Sequence, residues 1–207
     1  MPDPVMAGLN RITDDDVDAV LRCQKGDMEA FEILVERHQK RMLNVAYRML
    51  GDYDEACDVA QEAFLAAYRA IRTFRREAKF STWLYGIVVN RARNRLKQSQ
   101  NQARHETRSF DDPAEMSNGS VTGQVVDGRQ DANAELEKKD VQRAVQECIR
   151  NLDAEYREVL VLRDIQGFSY EEIGDMLNLP DGTVKSRLFR ARAFLKDSLA
   201  SVLGDLP

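Results

Sequence analysis

Lys185, Ser186, Phe189 and Arg190 recur at the three- to five-residue spacing that places side chains on one helical face. A ring among cations and a hydroxyl suits a DNA major groove. The ring can meet a thymine methyl, the hydroxyl can donate or accept, and the cations can meet phosphate oxygens or guanine. A second set runs from Arg69 to Lys97, with nine Lys or Arg against one acid, Glu77. Within it Trp83, Ile87, Asn90 and Asn94 share one side of a helix, flanked by Arg91 and Arg95, and the preceding stretch TFRREAKF places Phe74 and Phe80 among cations. Rings interleaved with cations form a platform for unpaired bases, since bases stack on rings while cations hold phosphates. A lone tryptophan also suits a core anchor. No paired carboxylates in a cleft-like context, P-loop or His/Cys ligand set is visible, so the chain is not expected to be an enzyme. Cys23, Cys57 and Cys148 are far apart and odd in number, which fits reduced structural thiols. His38 and His105 have no sequence neighbours that would complete a metal site, and no metal or cofactor is expected.

The elements that must position these residues follow from periodicity and capping. Ser169 with Glu172 three residues on is a capping box, and Phe168 with Ile173 is its hydrophobic staple. The short helix so begun carries Ile173, Met176 and Leu177 before Asn178-Leu179-Pro180 breaks it. Asp181 and Thr183 favour the start of the next helix, in which Val184, Leu188, Ala191 and Leu195 face inward, opposite the basic set. This is a helix-turn-helix with its recognition helix second. Upstream, Thr13 with Asp16 caps a first helix that Gly26 ends, and a second runs from Met28 to Leu50 until Gly51 stops it. Asp52 with Glu55 caps a third, to about Ile71. Its inner face is Ala56, Val59, Ala60, Ala63, Phe64 and Ala67, and its outer face Asp54, Asp58, Gln61, Glu62 and Leu65. That outer face reads either as solvated or as a partner-binding surface. A loop is expected over Thr73–Phe80. Ser81 then caps a fourth helix, to about Gln98, with Leu84, Tyr85, Val88, Val89, Ala92 and Leu96 inside. Ser99–Asn133 has few apolar residues and no period, the pattern of an interdomain linker. Helix resumes at Ala134, and Asp153 caps the helix that leads to the helix-turn-helix.

A net charge of −5 argues at first against a nucleic-acid binder. Two basic segments on an acidic background instead imply specific DNA surfaces without general stickiness. Only 11 Gly and 5 Pro, with few β-branched runs, favour an all-α fold. The longest apolar run, Trp83–Val89, is too short to span a bilayer. With no charged-then-apolar leader in the opening residues, a cytoplasmic location and no membrane insertion are expected.

Four stretches in order, GDMEAFEILVERH, DEACDVAQEAFLAAYRAI, FSTWLYGIVVNRARNRLK and FSYEEIGDMLNLPDGTVKSRLFRARAFLK, resemble a bacterial RNA polymerase sigma factor of the extracytoplasmic-function group (group IV). The resemblance implies two small helical domains joined by a flexible linker, an N-terminal one over 1–98, the linker over 99–133 and a C-terminal one over 134–207. Asp54, Asp58, Gln61, Glu62 and Leu65 match the segment that docks on the β′ clamp helices of core polymerase. Phe74, Arg75, Arg76, Lys79, Phe80, Trp83, Asn90, Arg91 and Asn94 match the region that reads and melts the −10 element, where a base is flipped into a loop pocket. Thr183, Lys185, Ser186, Arg187, Phe189 and Arg190 match the helix that reads the −35 duplex. The implied partners are core RNA polymerase, through the β′ clamp helices and the β flap, promoter DNA and an anti-sigma factor. The linker looks long for the group. From the residues alone a stand-alone helix-turn-helix repressor and a protein-binding adaptor stay open, although the first leaves the Arg69–Lys97 platform idle and the second ignores both basic surfaces.

Overall fold

The computed structural model describes residues 16–107 and 132–204, and these are helical with no strand among them. The elements are α1 (Val17–Gln24), α2 (Glu29–Leu50), α3 (Tyr53–Ala70), a 3₁₀ turn (Ile71–Thr73), α4 (Phe80–Thr107), α5 (Ala132–Arg150), α6 (Ala154–Leu160), a π turn (Val161–Ile165), α7 (Tyr170–Leu177) and α8 (Asp181–Gly204). Glycine or a cap ends or begins several of them as expected. Gly51 closes α2 at φ 78°, and the Asp52 carboxylate accepts the Glu55 amide at the start of α3. The reciprocal Ser169–Glu172 box opens α7, and Asn178 closes it in the left-handed region.

Four expectations need correction. Ser81 does not cap α4, which begins one residue earlier at Phe80. Phe80 is not a loop aromatic but wholly buried, its ring against Phe74 and Trp83. Helix does not end near Gln98 but continues to Thr107, because a polar stretch without Pro or Gly can extend a helix into solvent with no apolar stripe. Helix also resumes at Ala132, two residues before the expected Ala134. Thr13 and residues 108–131 lie outside the described residues.

α2, α3 and α4 pack on one another with α1 against α2, and α5, α6 and α7 pack around α8. The two groups also touch. α4 contacts α6 and α7, and α2 contacts α5 and α6, so the buried apolar residues of both form one continuous core. Arg157 joins the groups most firmly. Its buried guanidinium donates to the carbonyls of Met49, Arg150 and Leu152, which closes the free ends of α2 and α5. Gln146 adds bonds to the Tyr47 carbonyl and from Arg48.

Candidate nucleic-acid interfaces

The helix-turn-helix owes its tightness to Gly174. A Cβ there would sit 2.8 Å from the Leu179 carbonyl oxygen and 3.4 Å from the Asp181 carboxylate, so only glycine lets the turn close, with the Leu179 amide donating to the Gly174 carbonyl at 2.9 Å. Val184, Leu188 and Ala191 are buried as phased, and Leu195 is half-buried. Lys185, Ser186, Phe189 and Arg190 project on the other side, Phe189 being 77% exposed. Burial of that ring against DNA would release on the order of 2 kcal/mol that no intramolecular contact now supplies. Ser186 donates to the Thr183 carbonyl at 3.0 Å, which leaves its oxygen free to accept. Arg190 lies 3.4 Å from the Tyr156 hydroxyl, at the edge of the face. Arg187 is separated from this set. It turns inward to Glu155 at 2.6 Å and Glu158 at 3.5 Å and holds α8 on α6.

The second interface is an aromatic stack over a charged loop. Trp83 is half-buried, with Phe74 stacked on it at 4.7 Å and 25° and Phe80 tilted at 5.8 Å. One side of Trp83 thus anchors core, and Phe74 occupies a face of its ring. Beneath, the buried His38 ring lies 5.7 Å from Phe80 and its Nε2 is 2.6 Å from the Asp16 carboxylate. This His–Asp pair spans 22 residues and left no local signal in the sequence. Among the described residues no three His, Cys, Asp or Glu groups converge as metal ligands. Arg75, Arg76 and Lys79 are exposed on the loop, Arg76 at a left-handed φ of 61° that is strained for a non-glycine residue. Phe74 and the loop form one wall of a cleft of about 490 Å³, whose other wall comes from α7 through Glu171, Glu172 and Asp175. Asn90 and Asn94 are exposed one turn apart on α4.

On α3, Asp54, Asp58, Gln61 and Leu65 are exposed, Leu65 at 56%. Glu62 is instead bonded to Arg91 at 2.8 Å and Arg95 at 3.0 Å on α4. One carboxylate thus ties the acidic face to the basic one, and Arg91 is engaged by Glu62. Burial raises the Cys23 and Cys148 thiols, which keeps them protonated and inert.

Sequence reasoning missed the residues that join the two groups. Glu158, 2% exposed, accepts from Arg93 Nε at 2.8 Å and Nη2 at 2.6 Å. Burial pushes its carboxyl up, opposed by Arg93 and Arg187, and burial likewise lowers Arg157. Tyr85 donates to Gln166 at 2.8 Å and meets the Phe168 ring edge-on at 4.8 Å. Phase places Tyr85 inside but cannot say against which element. An acid at the head of the apolar run Val159–Leu162 is the signal that could have flagged Glu158.

Comparison with known proteins adds to this geometry. The model described as Sigma-70 region 2 matches residues 34–102, and that described as Sigma-70, region 4 matches residues 142–195. The chain is 36% identical over 188 residues to the RNA polymerase sigma-H factor of Pseudomonas aeruginosa, covering 91% of this chain and 95% of that one. It is 37% identical over 184 residues to the ECF RNA polymerase sigma-E factor of Escherichia coli (strain K12), covering 89% and 94%. Among solved structures it is similar to CnrH in complex with the cytosolic domain of CnrY, with TM-score 0.62, 26% identity and coverage of 91% and 98%. The sigma factor RpoE in complex with the anti-sigma factor NepR from Bartonella quintana shares the fold, at TM-score 0.61 and 23% identity over 83% and 98% of the two chains.

Proposed function

The chain belongs to the sigma-70 family, in its extracytoplasmic-function group, and from that premise we propose how its residues divide the work of starting transcription. It is a sigma factor: it directs RNA polymerase to promoters, takes part in opening the DNA, and has an anti-sigma factor as a further partner. Members of the family are transcription regulators rather than enzymes. In this reading the chain itself makes and breaks no covalent bond, and it works in the cytoplasm. No described helix is long and apolar enough to cross a membrane.

Residues 1–98 form the polymerase-binding and −10 domain, 99–133 the linker and 134–207 the −35 domain. The described helix reaches Thr107, which moves the practical start of the linker past it. Lys185, Ser186, Phe189 and Arg190 read the −35 duplex, with Thr183 at the helix start. Arg187 serves to seat α8. Phe74, Arg75, Arg76, Lys79, Trp83, Asn90 and Asn94 capture the melted −10 strand, with Phe80 as the buried support of the stack. Asp54, Asp58, Gln61 and Leu65 dock on the clamp helices of β′, and Glu62 with Arg91 braces the two faces. Opening draws on binding energy, since bases held on the platform offset a few kcal/mol of unstacking.

The observation that carries this reading is the pairing of an exposed Phe189 among cations with a separate aromatic stack and basic loop. A single-surface repressor has no use for the second. The test is transcription by purified core polymerase on a pool of genomic promoter fragments, with and without the protein. Transcripts from a defined subset that fall with Phe189→Ala, and permanganate reactivity at unpaired thymines that falls with Trp83→Ala, are expected. A protein that leaves core polymerase unchanged while shifting duplex DNA alone would be a repressor.

A further inference from the structure

The arginines of α8 are held in two different ways. Arg187 lies 2.6 Å from Glu155 and 3.5 Å from Glu158. Arg192 forks onto both carboxylate oxygens of Asp164, at 2.9 and 2.5 Å. In each case an acid takes up the charge and the pair seats the helix. Arg190 differs. Its Nη1 donates to the phenol oxygen of Tyr156 at 3.4 Å, and among the described residues the ion pairs of α8 are those of Arg187 and Arg192.

A neutral acceptor does what a carboxylate cannot. It fixes the direction of the guanidinium and leaves its positive charge whole, so the group stays attractive to phosphate and to guanine. Tyr156 is a suitable post for this. Its ring is half-buried and packs on the core where α6 meets α8. A tyrosine turns about few side-chain torsions, so a packed ring presents its hydroxyl in one place. Arg190 is an exposed, many-jointed side chain, and without a post it would have to be ordered on meeting DNA. With Nη1 on Tyr156, the Nε–Nη2 edge remains, the kind of fork that guanine O6 and N7 accept. The post stands outside the helix-turn-helix, on α6, 34 positions before Arg190.

We propose that Tyr156 is a positioning residue for −35 reading. Its hydroxyl orders Arg190 before DNA arrives, so α6 sets how sharply the recognition helix tells one base pair from another. Ordering helps only where Arg190 bonds a base edge. A base pair that offers no acceptor gains nothing from it, and the effect appears as discrimination rather than as general affinity. This rests on the reading of Lys185, Ser186, Phe189 and Arg190 as the −35 face.

The test removes one hydroxyl. Tyr156→Phe keeps the packed ring, so thermal melting should match the parent. Holoenzyme made from core polymerase and each chain is assayed by transcription on one responsive promoter and on its single-base-pair substitutions across the −35 element. Arg190→Ala identifies the base pair that Arg190 reads, as the position where preference is lost. Tyr156→Phe should lower preference at that same position by ~3-fold, near the low end of what ordering one such side chain is worth, and leave the other positions at the parent level. The double variant should match Arg190→Ala alone, because Tyr156 acts through Arg190. Parent-level preference in Tyr156→Phe, whether or not its melting temperature falls, would overturn the proposal. So would an equal fall at every position, or a double variant that falls below Arg190→Ala. Failure of the −35 reading looks different: Arg190→Ala itself would then change preference nowhere, and the proposal would fall with that reading.

Discussion

Arg93→Ala should weaken the whole fold, because Arg93 is the principal partner of a carboxylate that water cannot reach. Its Nε and Nη2 lie 2.8 and 2.6 Å from the same oxygen of Glu158, itself 2% exposed. Stranding one member of a buried ion pair costs ~3–5 kcal/mol. Two features reduce that cost here. Arg187 remains 3.5 Å from the other Glu158 oxygen, and the Arg93 side chain is 24% exposed, so water can enter the space it leaves. The net loss for Arg93→Ala is then ~2–3 kcal/mol. Glu158→Ala should cost a similar amount by leaving Arg93 and Arg187 facing each other. The double variant should recover part of the sum, with a coupling energy of ~1.5–2.5 kcal/mol. Urea unfolding followed by far-ultraviolet circular dichroism measures all four chains. Fluorescence of the single tryptophan, Trp83, reports the N-terminal half alone. If both probes move together in the parent and separate in the variants, the pair is what makes the halves unfold as one. A coupling energy below ~0.5 kcal/mol, the level found for sites that do not touch, would refute the reasoning.

Phe189→Ala should leave stability within ~0.5 kcal/mol, since the ring is a surface group without a structural role, while transcription from promoters that need the −35 element falls; thermal melting and transcription on the same samples separate the two. Gly174→Ala should disorder the turn, because its new Cβ would lie 2.8 Å from a backbone oxygen, and duplex binding by polymerase holoenzyme should fall although no DNA-contacting side chain has changed. Arg76→Gly should leave thermal stability equal or up to ~1 kcal/mol higher by relieving the left-handed φ, while promoter opening slows for want of a cation; a lower melting temperature would show that Arg76 is not strained.

Local features were the legible ones. Capping at Ser169, Gly51 and Asp52 depends on neighbours within four residues, and the inward phase of Val184, Leu188 and Ala191 repeats every turn, so both leave a pattern in the chain. The helix-turn-helix and the separate basic platform followed from these. The end of α4 did not. Residues Ser99–Thr107 are polar, and a helix that buries nothing shows no stripe to count. Phe80 looked like a loop aromatic because its charged neighbours are exposed, whereas its own burial depends on His38 and Trp83. The contacts that join the halves link residues 65 to 108 positions apart, and no period encodes such distances. Arg187 entered the DNA contacts with the resemblance and not from the phased face, and no local pattern reveals that Glu155 and Glu158 lie behind it.

The position of α7 over the cleft lined by Phe74, Arg76 and Lys79 also has a consequence in time. The N-terminal half leaves the ribosome first, and the acidic edge beside its cleft is made about 90 residues later, a delay of roughly 5–18 s at ~5–20 residues per second. Every newly made molecule therefore passes through an interval in which one wall of that cleft has been made and the wall from α7 has not.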